Sequence, residues 1–401
     1  MKEALHEKTD LTKPTDAAAK SQFGRGNVCM SPEQIKKTLM TALEIKPGEK
    51  VLFLTDKPEK PEIKGDKEDM RDFLKQWYAA AQSLATEVGF ELLPLVTYLE
   101  TGAPSAPLPQ TAFADDGKLI EDLTKYIGQA DVVIAINWFS ATGPLKDIGT
   151  KNEKTRGLTM PQVDSSMASA ILVDYNGMAQ RCNDLLDIVK DAVGFEIEFK
   201  GEGVPPGTKL YVDMRAKNWH VSSGKCTTKG MFGNLPGAED YSAPYEGIYP
   251  GAREELGDSK TEGTWAVYSP PDNKVVLLTV KNNMIVDVEP KDAAKAQEIL
   301  VDIEKNPNNA NVAEIGFGLN KHARSSEDIR IIEKEKAEGM HLANGTDSHF
   351  GGPDPRAGVV TGSVHNDWIY TPTTAITATT YAVYADGSRR LIVEDGRQVA
   401  V

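Results

Sequence analysis

Of the six histidines in this 401-residue chain, four fall between residues 322 and 365, a stretch that also places several acids beside turns and strands. The clearest pair is His365 and Asp367 in GSVHNDWIY. Residues two apart on a strand project from the same face, so an imidazole and a carboxylate would point to one place. Standing alone, the pair is better read as a surface histidine beside a turn aspartate. It does not stand alone. His341 opens the Gly-rich segment HLANGTDSHFGG, where small residues allow close backbone approach to a ligand. Glu314 stands in VAEIGFGLN, among apolar and glycine neighbours where an unpaired carboxylate is costly to bury. Glu239 stands in GNLPGAEDYSAP, between two proline-bearing turns. Each acid taken singly reads as solvated. As a set, carboxylates and imidazoles without thiolate suit a zinc, cobalt, manganese or iron(II) ion.

Common catalytic signatures are missing. There is no HExxH, no GxSxG elbow, no GxxxxGK[ST] phosphate loop and no GxGxxG after a strand. Gly201-Glu202-Gly203 precedes two prolines and has the wrong frame for a dinucleotide fingerprint.

The elements that must position these residues follow from periodicity. Ser31-Pro32-Glu33 starts a helix to Leu43, with a capping hydroxyl and then proline at the first helical position. KVLFLTD (50–56) is a short apolar strand, 66–88 a helix, 90–99 a strand, 118–127 a helix, DVVIAIN (131–137) a strand and 176–193 a third long helix. This alternation predicts a parallel sheet covered on both faces. Beyond Gly194 strands crowd together at 196–200, 209–214, 263–268, 274–281 and 284–288, with a helix at 291–305 and a charged helix at 326–339 before His341. The expected fold class is therefore α/β: a polar leader (1–27), a parallel-sheet α/β domain (28–200) and an α+β metal-binding domain (201–401).

Composition narrows the class of function. A formal charge of −14 with scattered basic residues argues against a nucleic-acid partner. The first twenty residues contain no apolar core for a signal peptide, and the longest apolar run, 130–139, reads as a buried strand rather than a membrane span. Cys29, Cys182 and Cys226 are odd in number and lack CxxC spacing, which suggests neither a disulfide framework nor a thiolate zinc site. A soluble protein of the reducing cytoplasm is expected. Asn344-Gly345-Thr346 is a sequon that matters only in a secreted protein and reads as a turn; Trp219 and His220 read as packed core.

GNLPGAEDYSAP, EIGFGLN, the acidic segment ending in GMHLANG, and HND stand in an order that resembles the metalloaminopeptidases of the thermophilic aminopeptidase T and S type, strongly over 205–370 and in outline before that. The resemblance implies an α/β domain followed by a domain holding two divalent metals (zinc, cobalt or manganese). It implies metal roles for Glu239, Glu314, His341, His365 and Asp367, with Glu335 as a further acid. It also implies a small peptide or other small molecule as substrate, and a homodimer. A carboxylate bridging two cations can position a shared water and lower its pKa for attack on a polarised carbonyl, which makes Glu239 or Glu314 the bridge or base. The chain departs from those peptidases where they are similar in carrying a tyrosine soon after the first metal-binding histidine: here stands Ser348-His349-Phe350, and His349 is the candidate replacement as hydrogen-bond donor or ligand. Tyr241 and Tyr245, with Phe317 and Trp368, are candidates to line a substrate pocket.

A second reading resembles 2,5-dihydroxypyridine 5,6-dioxygenase of the same superfamily. There His341, His365 and Asp367 would form a two-histidine, one-carboxylate triad on a single iron(II). The iron enzymes place a histidine where this chain has Glu314, and Glu239 would be superfluous. A third reading is a metal-stabilised binding protein, although structural zinc sites are closed and cysteine-rich and this one is neither.

Overall fold

The structure is a computed structural model that describes residues 30–58, 67–326, 329–348, 350 and 356–401. The leader, Cys29 and His349 lie outside the described residues. The fold is mixed α/β, with one sheet built on parallel strands and two antiparallel sheets. The chain forms two compact units: one runs to Gly177 and takes in Gly224–Gly237, and the other comprises Met178–Ser223 and Ala238–Val401.

In the first unit the strands lie in the order Phe232–Asn234, Arg156–Thr159, Val132–Ala135, Lys50–Lys57, Val96–Leu99, Ala112–Ala114, Leu119–Ile120, with Glu91–Leu92 also pairing Lys50–Lys57. The first five are parallel and the last two antiparallel. Alternation sends Leu52 and Leu54 into one core with Leu123, Ile127, Leu145 and Ile148. Phe53 turns the other way and meets Tyr78 of the Glu68–Val88 helix edge-on at 5.4 Å. That helix buries Met70, Phe73, Leu74, Trp77, Tyr78 and Leu84, a stripe at helical spacing, and ends at Gly89 with φ +86°. The helix Pro32–Leu43 begins as expected: Ser31 Oγ accepts from the Gln34 amide and Gln34 Oε1 accepts from the Ser31 amide.

Several expectations are corrected here. The strand expected at 90–99 is two pieces, Glu91–Leu92 and Val96–Leu99, separated around Pro94, which has no amide hydrogen for the ladder. The helix expected at 118–127 is a strand pair, Leu119–Ile120, followed by a single helical turn, Leu123–Ile127, capped by Asp122. The Thr142–Asn152 helix and the Arg156–Thr159 strand were hidden by glycine, proline and a thin apolar face. The domain boundary expected at residue 200 differs from the observed division. The strand Ala192–Gly201 pairs only with strands of the second unit, while Phe232–Asn234 returns to extend the parallel sheet of the first.

The second unit holds an eight-stranded antiparallel sheet, in the order Met284–Glu289, Lys274–Lys281, Glu262–Ser269, Lys209–Asp213, Ala192–Gly201, Ile376–Tyr384, Arg389–Glu394, Arg397–Gln398. It also holds a five-stranded antiparallel sheet, in the order His220–Ser222, Glu239–Ser242, Val312–Gly318, Met340–Gly345, His365–Tyr370. One apolar core joins them, with Phe195, Trp265 and Leu278 from the larger sheet and Ile315, Phe317, Leu342 and Tyr370 from the smaller. The smaller sheet thus buries one face and leaves the other for polar residues. Among the described residues of the charged segment expected as a helix over 326–339, only the turn Ile331–Lys334 is helical. Its continuation is drawn onto the small sheet instead, where the Asn320 amide donates to the Lys336 carbonyl at 2.8 Å and the Gly339 amide donates to Gly318. Among the described residues no helix is long and apolar enough to cross a membrane.

Candidate metal centre

The register of the small sheet brings the candidate residues onto its non-core face. Tyr241 pairs Gly316, Gly316 pairs His341, Glu239 pairs Gly318, and Ala343 lies between Glu314 and Asp367. Directly opposed residues share a face. The acids and imidazoles therefore stand over a floor of Gly316, Gly318, Ala343 and Gly345. Those glycines explain the Glu-x-Gly-x-Gly spacing of residues 314–318. A Cβ on Gly316 would lie 2.2 Å from Cε1 of His341, and one on Gly318 would lie 2.0 Å from the Ala337 carbonyl oxygen. The ladder shifts register between Val312 and Glu314, a bulge of the kind that re-aims a side chain.

Five side chains converge on this face. His341 Nε2 lies 3.2 Å from Glu239 Oε1 and 3.2 Å from Glu314 Oε1. His365 Nε2 lies 2.9 Å from Glu314 Oε2 and 3.4 Å from Asp367 Oδ1. Two groups result, Glu239–Glu314–His341 and Glu314–His365–Asp367, each with its ligand atoms within 4.8 Å of one another. Glu314 belongs to both. The three residues of the single-iron triad, His341, His365 and Asp367, are divided between the two groups, with Glu314 between the imidazoles.

The donors fit divalent cations. Carboxylate and imidazole without thiolate suit zinc, cobalt, manganese or iron(II), and ligand atoms this close can share an ion at about 2 Å from each. Electrostatics says the same. Burial opposes a charge on Glu314, yet hydrogen bonds from His341 and His365 outweigh it and hold the carboxylate well below its ordinary range. Burial likewise opposes a charge on each imidazole, and the surrounding carboxylates raise both well above the usual value. Glu314 and the two imidazoles thus favour one another's charged forms, and a cation between them would serve the same carboxylate.

The imidazoles are oriented differently. His365 Nδ1–H donates to the Thr346 carbonyl at 2.7 Å, which turns Nε2 to the cluster. His341 Nδ1 is buried with no hydrogen-bond partner among the described residues. Its ring is placed by lying on Gly316. The loop carrying Thr346 is itself fixed by Asp347, whose buried carboxyl accepts from the Val360 amide at 2.7 Å and from Asn311 Nδ2 at 2.9 Å. Burial, with the Glu246 charge adding, pushes Asp347 up to about 8.

Glu335 is near the cluster but belongs to neither group. Its Oε1 pairs with the Lys336 ammonium at 2.8 Å, and burial raises its carboxyl to about 7, Lys336 opposing and Glu239 and Asp367 adding. Lys336, which also donates to Glu239, went unnoticed in the sequence, where it reads as one more charge on a solvated helix. Tyr241 faces the cluster; burial and then the Glu239 and Glu314 charges raise its phenol, which stays protonated. Phe350 stands edge-on to Tyr241 at 5.1 Å and to His365 at 5.7 Å. Phe350 thus sets an apolar ring beside Tyr241 and His365. Tyr245 is engaged elsewhere, its hydroxyl donating to the Gly257 carbonyl at 2.9 Å and its ring under Arg215. Phe317 and Trp368 face the core side, with Trp368 Nε1 donating to Asn344. Asn344 is a buried strand residue rather than a turn. His220, expected as packed core, is half-buried with its ring 5.2 Å from that of Tyr241. A cavity of about 490 Å³ beside the edge strand is lined by His365, Asp367, Trp368, Lys334 and Tyr268 among others.

Fold and site together define an α/β unit joined to an α+β unit whose small sheet gathers carboxylates and imidazoles at cation-binding distances. Among solved structures, the chain is similar to 2,5-dihydroxypyridine dioxygenase from Pseudomonas putida KT2440, with a TM-score of 0.62 and 13% identity over 93% of this chain and 99% of that one. It is also similar to AmpT from Thermus thermophilus, with a TM-score of 0.55 and 13% identity over 92% of this chain and 98% of that one. At that identity the likeness establishes the fold. No family model and no curated protein sequence matches the chain.

Proposed function

We propose that the chain is a metal-dependent, aminopeptidase-like hydrolase with a dinuclear centre. The observation that carries this reading is Glu314, whose two oxygens face two different imidazoles and which is shared by both ligand groups. Glu239 and His341 would complete one position, and His365 and Asp367 the other. Two divalent cations held by these residues would supply the acidity that activates water and the charge that polarises an amide carbonyl. Within the chain, Glu314 would hold the two positions in register, and Glu335, whose carboxyl burial raises to about 7, would be the group to accept a proton. The protonated Tyr241 phenol is the donor available to the substrate, a role that His349 shares in this reading. The cavity along His365 and Asp367 has the size of a small-ligand site and suits a short peptide. Pairing of chains and a cytoplasmic setting belong to the same proposal.

The dioxygenase reading draws on the likeness to the dihydroxypyridine enzyme. It needs one iron held by His341, His365 and Asp367, with Glu314 displaced from between them. The test counts metal in protein purified without added metal, and assays aminoacyl chromogenic substrates and dihydroxylated pyridines in air. Two zinc, cobalt or manganese ions with amide hydrolysis are expected. One iron with oxygen uptake sinks the hydrolase reading in favour of the other.

A further inference from the structure

Lys336 is an unusual neighbour for a metal site. Its side chain is only 2% exposed, and its ammonium donates both to Glu239 Oε2 and, at 2.8 Å, to Glu335 Oε1. A buried ammonium persists only when paired and hydrogen-bonded, and these two carboxylates supply both. Glu239 is also one of the three ligands of the His341 group, to which it offers its other oxygen, Oε1, 3.2 Å from His341 Nε2. One carboxylate is therefore shared between a resident cation and a prospective one. On the other side, Asp367 turns its Oδ1 to His365 at 3.4 Å.

The consequence is an asymmetry. Two like charges sharing one carboxylate in a water-poor site repel strongly, and Lys336 also draws off part of the negative charge that a metal at Glu239 would use. Resting on the two-cation reading above, we infer that Lys336 competes with a cation for Glu239 and makes the two metal positions unequal. The Glu314–His365–Asp367 position fills first and tightly; the Glu239–Glu314–His341 position fills second and exchanges. The concentration of free divalent metal then decides when the centre is complete, so Lys336 sets the metal threshold of the enzyme. The Lys336 side chain is a positioning and charge-setting residue and touches no substrate in this role.

The experiment is a calorimetric titration of metal-free full-length protein with Mn²⁺, with bound metal counted by plasma mass spectrometry after equilibrium dialysis. Wild type should show two steps with dissociation constants about tenfold or more apart. Lys336→Met should tighten the weaker step until the two lie within about threefold, and Lys336→Arg, which keeps the charge, should preserve the gap. Two equal steps in wild type, or an unchanged gap in Lys336→Met, overturns the inference. One ion in wild type and two in Lys336→Met supports it in its strongest form. One ion at saturation in all three proteins overturns the dinuclear reading and this inference with it. Should circular dichroism show Lys336→Met to be unfolded, His341→Ala and His365→Ala isolate the two positions. His341→Ala must then bind Mn²⁺ more tightly than His365→Ala, and equality or the reverse order overturns the inference.

Discussion

Glu314 turns Oε1 to His341 Nε2 at 3.2 Å and Oε2 to His365 Nε2 at 2.9 Å, so one carboxylate spans imidazoles from two different strands. Replacing it with Gln keeps the shape, removes the charge and offers a single acceptor oxygen. Glu314→Gln is expected to lower kcat by about a hundredfold or more and to reduce the metal count. Near-normal turnover in this variant would remove Glu314 from the mechanism.

Gly316 is the floor under His341. Adding a methyl group 2.2 Å from the ring forces the imidazole away, and among the described residues Nδ1 has no hydrogen-bond partner to hold it in place. Gly316→Ala is expected to cost about 1–3 kcal/mol of stability and to weaken metal binding. Denaturant unfolding and metal titration measure the two effects separately.

Metal removal should loosen the centre, because Glu239, Glu314 and Asp367 then face one another with only protons and Lys336 between them. Excess Mn²⁺ or Zn²⁺ should raise the melting temperature over that in chelator, by an amount corresponding to about 2.7 kcal/mol when free metal is a hundred times the dissociation constant. An unchanged Tm across that range argues that the cluster is held together without a cation.

Asp347 supplies a pH dependence apart from the cluster. Its folded-state carboxyl is raised to about 8 from an ordinary value of 3.8. The fold therefore favours the protonated form. The associated stability is fully present below the ordinary value and declines as pH rises through about 8. Asp347→Asn cannot ionise, so its Tm should fall less between pH 5 and pH 9 than that of wild type, both measured in chelator. Parallel curves for the two proteins would show that Asp347 does not titrate in this window.

The Tyr241 phenol feels the charges of Glu239 and Glu314 on the sheet face, and the ring of Phe350 stands edge-on to it at 5.1 Å. Tyr241→Phe should leave metal content and Tm unchanged and lower kcat by about ten- to a hundredfold. A rise in KM with kcat untouched would instead make Tyr241 a binding residue.

The sequence by itself determined which residue types could serve a cation and part of their local geometry. Alternation placed His365 beside Asp367, and the apolar and glycine neighbours of Glu314 marked a carboxylate costly to bury unpaired, whereas the strand that carries it, Val312–Gly318, was not legible. The first reading succeeds because strand periodicity is a local property of the chain. Local propensity misled at 326–339, where the described residues of a charge-rich segment with good helix formers are helical for a single turn. Hydrogen bonds from Asn320 and to Gly318 outweigh that propensity. The same long-range pairing decided what no spacing could show: that Glu314 lies between the two imidazoles, that Tyr245 lies elsewhere, and that Lys336 is buried against Glu239. Each depends on the register of strands distant in sequence, and register is set by which faces the whole core can bury.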